Sequence, residues 1–335
     1  MSIQDAWTRL HTGPDQPASG VLAVRLCPQS KHNLFAAVDP HSDRRFLILK
    51  SNIPPASPLQ ELPEGLGFAL RYLETPGEPD GLYSLRFELA NPSYADVFDV
   101  IANDILENVV ACGDLGAGFN VFAGRIAEWQ TFLNSLPRTG LSEQHQQGLF
   151  AELSFLRDVL LQTCSAAKAV AAWAGPKALS KDFQFNETAF EVKATTTKQP
   201  TRFRISNEIQ LEFAPNKRLF VCGCVLERVL AGGTSLPQVV QSVRQLLEAN
   251  SAVLARFAHL LFQSGYADFD SERYDAQFNI RAVHFFEVKD DFPRMVGTDL
   301  RLGVIDVNYS ILLSECLRFE VAETEIRALL AALDS

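Results

Sequence analysis

Phe190-Glu191-Val192-Lys193 is the stretch whose reading decides the fold, together with Asp182 upstream of it. Side chains alternate along a β-strand, so a strand here puts Glu191 and Lys193 on one face and turns Phe190, Val192 and Ala194 toward a core. An acid and an amine two residues apart, with a second acid on a neighbouring strand, form a compact unit. Its chemistry suits holding a divalent metal and activating a water for phosphodiester hydrolysis. Asp182 and Glu191 supply two carboxylates if their strands pair, and the Val192 carbonyl supplies a third oxygen. Lys193 then lies beside the attacking water, where it can orient it, help deprotonate it or stabilise the phosphate.

Working outward, residues 141–162 read as a long helix with apolar positions at Leu149, Leu153, Leu156, Leu160 and Leu161. It carries Glu152 inside an apolar stretch, where an unpaired buried acid costs free energy. An apolar run at 169–174 reads as a strand and Gly175-Pro176 as a turn. Residues 182–185 and 190–195 read as a hairpin around Asn186-Glu187. A short helix at 206–213 and an apolar strand at 219–226 complete the order helix, strand, hairpin, helix, strand. On the N-terminal side, residues 21–26, 34–38, 45–49 and 82–87 read as strands. A helix with Ser93 as N-cap follows, and a second runs over 122–136. On the C-terminal side, residues 236–264 read as one or two helices, 280–288 and 303–312 as strands, and 323–333 as an amphipathic helix. The breaker at 137–140 sets a boundary, giving a β-rich N-terminal domain (1–138), a core (139–265) and an α/β C-terminal extension packing on it (266–335).

The chain has 335 residues, 47% of them hydrophobic, which suffices for a substantial core in two or three domains. It has no apolar run of membrane-spanning length and no secretory leader pattern, so a cytoplasmic location is expected. The six cysteines are scattered, and Cys222-Gly223-Cys224 reads as buried and reduced, because no second pair or histidine cluster completes a site. The net charge of −10 argues against nonspecific nucleic-acid binding over the whole surface. Between Lys168 and Arg204, however, seven basic residues face three acids, a local +4 that includes Lys177, Lys181, Lys198, Arg202 and Arg204. This positive island surrounds the candidate metal site.

Other patterns carry less. Gly113-Asp114-Leu115-Gly116-Ala117-Gly118 lacks the Lys-Ser/Thr of a phosphate loop and reads as a turn. The six histidines form no metal-binding spacing. Phe286-Glu287-Val288-Lys289 repeats the first tetrapeptide, with Asp275 upstream. Its preceding helix offers no acid, and its strand runs into a loop, so the first copy is favoured. For Asp182, Glu191 and Lys193 the plain alternative is an exposed ion pair on a sheet face, which contributes little.

The order of elements, with Asp182, Glu191 and Lys193, resembles the PD-(D/E)XK nuclease superfamily. The blocks 148–153, 173–176, 181–183, 190–196 and 209–211, with Phe292-Pro293-Arg294 and Val307-Asn308-Tyr309, resemble a bacterial family known as PD-(D/E)XK motif proteins, found with restriction or anti-phage gene clusters. The resemblance implies an α/β (α+β) restriction-endonuclease-like core of helix, mixed sheet and helix. It assigns Asp182, Glu191 and Lys193 to the motif and Glu152 to the helix acid of many members. Gln210 matches a helix glutamine near the active site of some nucleases. Lys181 stands where the motif name has proline. Implied further are Mg²⁺, with Mn²⁺ able to substitute, and double-stranded DNA held through Lys181, Lys198, Arg202 and Arg204. A restriction-type role follows, as a homodimer or with other defence proteins. A noncatalytic nucleic-acid-binding or scaffold subunit that retains the fold is the alternative.

Overall fold

The computed structural model describes residues 3–12, 20–42, 44–55, 67–77, 82–135, 139–175, 181–212, 217–289, 291–305 and 307–334. Pro137 at the expected boundary, Lys177 of the positive island, and Phe213 at the end of the expected short helix lie outside them. The chain divides into two compact units, Met1–Arg138 with Ala267–Phe269, and Thr139–Tyr266 with Asp270–Ser335. No described helix is long and apolar enough to cross a membrane.

The first unit begins with helix α1 (Ile3–Thr12), followed by strands β1 (Leu22–Leu26), β2 (Asn33–Asp39), β3 (Arg44–Ser51), β4 (Phe68–Glu74) and β5 (Tyr83–Leu89). The strands form an antiparallel sheet in the order β1-β2-β3-β5-β4. Helices α2 (Ala95–Ala111) and α3 (Gly118–Ser135) follow. The sequence pattern did not point to α1 or to the half-exposed edge strand β4. Val97, Phe98, Ile101, Ile105 and Val109 recur at helical spacing and are buried. Phe98 stacks on Phe87 with centroids 4.8 Å apart and meets Trp7 at 5.4 Å. The turn into α2 is capped by Asn91, whose side chain accepts from the Ser93 N–H, rather than by Ser93 itself.

The second unit opens with α4 (Glu143–Phe155), whose N-cap Ser142 accepts from the His145 N–H, and continues through a π-helical turn at Leu156–Leu160. Next comes α5 (Ala166–Ala172), where a strand was expected. A short apolar run cannot be assigned by periodicity, and alanines at 166, 167, 169, 171 and 172 tip this one to helix. Then follow β6 (Phe183–Gln184), β7 (Thr188–Thr195), β8 (Arg202–Ile205), β9 (Arg218–Val229) and β10 (Thr234–Ser235). Helices α6 (Leu236–Leu247) and α7 (Ser251–Gln263) precede β11 (Gln277–Glu287), β12 (Tyr309–Leu312), α8 (Leu313–Cys316), β13 (Glu320–Val321) and α9 (Glu323–Asp334).

The main sheet has the order β10-β11-β9-β7-β6, with β13 on β11. Only β7 and β9 among these pairs run parallel. Residues 277–287 are thus a strand of the sheet itself, in the same compact unit as α4 and β7, rather than an extension laid on it. One face buries Phe190, Val192, Phe220, Cys222 and Phe285 against residues of α4 and α6 such as Leu153 and Val243. The other buries Val221 and Phe286 against Phe203, Ile205 and Leu211. Strand β8 pairs with β12 and lies over this second face. Its approach depends on Gly223, where an added Cβ would meet the Phe203 ring at 2.5 Å.

Candidate active site

The β6–β7 pairing builds the site. Phe183 is opposite Phe190, which brings residue 182 beside residue 191. Asp182 Oδ2 accepts from the Val192 N–H at 2.7 Å, and the Asp182 carbonyl accepts from the Ala174 and Gly175 N–H groups at 2.7 and 3.0 Å. Glu191 projects from the other face of β7 to its apolar neighbours, as alternation requires, and is 1% exposed. Lys193 Nζ lies 2.7 Å from Glu191 Oε1, an ion pair that gives the buried carboxylate a cationic partner. Glu152 arrives from α4 and accepts from the buried Trp173 indole N–H at 2.9 Å. A Cβ on Gly175 would lie 3.0 Å from Glu152 Oε2 and 3.3 Å from Asp182 Oδ1, so these two carboxylates border one gap that only a glycine leaves open.

The amine is held from outside the motif. Lys193 Nζ donates to Gln210 Oε1 at 3.0 Å, and the Ser206 N–H donates to the same oxygen at 2.9 Å. Gln210 lies in a single 3₁₀ turn, Glu208–Leu211, capped by Asn207, where a longer helix was expected. Lys181 Nζ donates to the Ile209 carbonyl at 2.8 Å, Arg294 donates to the Leu211 carbonyl at 2.9 Å, and Glu208 Oε2 accepts from the Val307 N–H at 3.0 Å. Lys181 is therefore an internal brace, only 6% exposed, where the sequence suggested a surface contact to a phosphate. The C-terminal Arg294 and Val307 hold the same turn. Lys198, Arg202 and Arg204 are exposed and make no ion pair among the described residues.

Burial dominates the electrostatics. It pushes the Glu191 carboxyl up to about 8, with Asp182 adding to the rise and Lys193 opposing it. Burial also raises Asp182, less strongly because Lys193 and the Val192 N–H favour its charge. Glu152 keeps some exposure as a residue, but burial of its carboxyl, with Asp182 nearby, raises it well above the ordinary glutamate value. Burial works against the Lys193 charge, but Glu191 and Asp182 outweigh it and leave the ammonium more basic than an ordinary lysine. Burial of Lys181 prevails over Glu191 and lowers its pKa. Three crowded carboxyls face Lys193 and, more weakly, Lys181, a charge balance that a further cation would relieve.

The site opens into a cleft of about 440 Å³ that Glu152, Asp182, Val192, Lys193, Arg204 and Gln210 all line. Among the described residues no group of three or more His, Cys, Asp or Glu is disposed to hold a metal by itself. The oxygens available are those of Asp182 and Glu191 with the Val192 carbonyl, and one or two carboxylates plus water are enough for Mg²⁺. The gap at Gly175 that the Glu152 and Asp182 carboxylates border fits that chemistry, while Glu191 is held in an ion pair by Lys193.

The second tetrapeptide is placed differently. Glu191 and Phe286 both pair with Val221 of β9, so Glu287 and Lys289 fall on the opposite face of the sheet from Glu191 and Lys193. Glu287 accepts from Arg218 at 2.9 Å and pairs with Lys289 at 3.1 Å. Burial raises its pKa, but these two cations outweigh that and leave it below the ordinary value.

Sequence reasoning missed Trp173, although a buried indole N–H needs an acceptor and Glu152 needed a donor. It also missed the bracing of the 208–211 turn, which pairwise spacing does not encode. Comparison with curated proteins and with solved structures finds no match. Residues 3–314 match the family described as "Putative PD-(D/E)XK family member, (DUF4420)", and the chain belongs to that family.

Proposed function

We propose that the protein hydrolyses phosphodiester bonds of DNA with a divalent metal, as a restriction-type endonuclease with a restriction-endonuclease-like core. The observation that carries this reading is the crowding of Glu152, Asp182 and Glu191, the last 1% exposed, around the clamped amine of Lys193. Burying three carboxyls together is costly unless cations offset them, and a hard cation would add to what Lys193 supplies.

Asp182 and Glu191 with the Val192 carbonyl would hold Mg²⁺, or Mn²⁺ in its place, and Glu152 borders the same gap. The bound cation supplies neutralisation of the clustered carboxylates and polarisation of the phosphate. Lys193 acts as a donor, because its neighbours keep it protonated. It orients the attacking water and stabilises charge developing on the phosphate, while Gln210 fixes where its ammonium points. Lys198, Arg202 and Arg204 offer exposed charge to the DNA backbone. With the remaining surface acidic, DNA approaches one face only, and a second copy or a defence partner would strengthen binding.

The alternative is a noncatalytic nucleic-acid-binding or scaffold subunit. It is favoured by the Lys193–Glu191 ion pair, which partners the buried acid without a metal. Mn²⁺ titration of wild type and Asp182→Ala, paired with DNA cleavage assays, separates the two. Saturable Mn²⁺ binding lost in the variant, with metal-dependent cleavage, supports the nuclease. Equal behaviour of the two proteins in both assays supports the scaffold.

A further inference from the structure

We infer that the face of α4 carrying Gln144, Gln147 and Gly148 is a nucleic-acid contact surface for sugars and base edges, opposite the phosphate-facing cations of β8. This rests on the nucleic-acid reading of the cleft. Positions i, i+3, i+4 and i+8 share a helix face, so Gln144, Gln147, Gly148 and Glu152 form one stripe running toward the carboxylates. All four line the cleft, as do Gln263 and Ser264 at the end of α7.

Two observations give this wall a ligand. First, Gly148 sits within α4, where glycine is the poorest helix former after proline. A Cβ added there meets nothing within 4 Å, so protein packing does not demand the glycine. Its missing side chain leaves open space over the helix backbone in the cleft wall, room for a ligand to approach. Second, Gln263 Oε1 is buried in the same wall with no hydrogen-bond partner. Turned into the cleft, that amide would offer its oxygen to a ligand donor.

The chemistry of the two sides then differs. Arg204 contributes charge, which suits a phosphate but carries no sequence information. The α4 side contributes neutral amides, which suit base edges and sugar hydroxyls, and a glutamine can pair with adenine through two bonds. The cleft would thus hold one strand with its backbone toward β8 and its bases toward α4.

The test is DNA binding by fluorescence anisotropy in Ca²⁺, over a salt series, with full-length wild type and the variants Gly148→Leu, Gln147→Ala, Arg204→Ala and Gly124→Leu. Gly124 is a mid-helix glycine of α3 whose Cβ position is also open and which does not line the cleft, so it controls for the substitution itself. Gly148→Leu replaces a poor helix former with a good one in open space, so folding should be preserved and thermal unfolding will verify it. The expected result is at least tenfold weaker binding by Gly148→Leu with an unchanged salt slope. Gln147→Ala should weaken binding in a base-dependent way. Arg204→Ala should flatten the slope by about one unit, and Gly124→Leu should match wild type. Wild-type affinity in a folded Gly148→Leu protein overturns the inference and leaves the nucleic-acid reading intact. Absence of DNA binding by the wild type overturns both.

Discussion

The same four residues, Phe-Glu-Val-Lys, occur twice in one sheet, on the two strands that flank β9, and the two copies have opposite chemistry. At Glu191 the acid is 1% exposed, its ion pair is with Lys193, and its pKa rises to about 8. At Glu287 the acid sits at a strand end, its side chain 19% exposed, served by Arg218 and Lys289, and its pKa falls. Parallel pairing of β7 and antiparallel pairing of β11 with β9 turn the two Glu-Lys pairs to opposite faces. A tetrapeptide therefore specifies a pair of side chains on one face and nothing more. The crowded acid cluster at Glu191 requires Asp182, just before β6, and Glu152 from α4.

The largest expected contrast is in catalysis. Lys193→Met should lower metal-dependent cleavage by on the order of 10²- to 10³-fold, the usual cost of removing a donor from a developing oxyanion. Lys289→Met should leave the rate within about twofold. Single-turnover kinetics would measure both, and equal losses would erase the distinction between the copies. Gln210→Ala should cost roughly tenfold, since it frees the Lys193 ammonium without removing it. Its effect should largely vanish in a Lys193→Met background.

Stability against pH should separate the copies by sign. Glu191 has a folded pKa above its ordinary value of 4.5, so metal-free wild type is most stable, as far as this group matters, below that value. That contribution is lost as pH rises toward about 8. Glu191→Gln should then gain on wild type by on the order of a few kcal/mol between pH 5 and 8 in denaturant melts with chelator present. Glu287 has a lowered pKa, so its contribution is present above the ordinary value and lost as pH falls. With its solvent screening, Glu287→Gln should lose only about 0.5 kcal/mol at pH 7. Parallel pH profiles for the two variants would mean that burial does not govern Glu191.

Much of this site was legible in the sequence because its geometry follows from period 2. Alternation alone aimed Glu191 and Lys193 together, and a hairpin around residues 186–187 was enough to bring Asp182 alongside. Glu152 stood out as an acid in an apolar helix. What could not be read were contacts set by tertiary closure. The Trp173 indole reaches Glu152 across 21 positions. Lys181 looks in sequence like any surface lysine, yet the 208–211 turn folds over it and gives it the Ile209 carbonyl. The run at 169–174 was misread because apolar content without length does not separate strand from helix, and its alanines decided the matter. The place of residues 277–287 inside the sheet was missed because antiparallel pairing with β9 spans a long insertion of two helices, and nothing local records it.

The central claim is that the environment, not the tetrapeptide, makes one copy a catalytic site. The most direct measurement is cleavage of supercoiled and linear DNA in Mg²⁺ and Mn²⁺ by wild type, Glu191→Ala and Glu287→Ala, each verified as folded. The account predicts metal-dependent cleavage by wild type and Glu287→Ala, and a loss on the order of 10³-fold in Glu191→Ala. Cleavage that survives in Glu191→Ala and disappears in Glu287→Ala would contradict it.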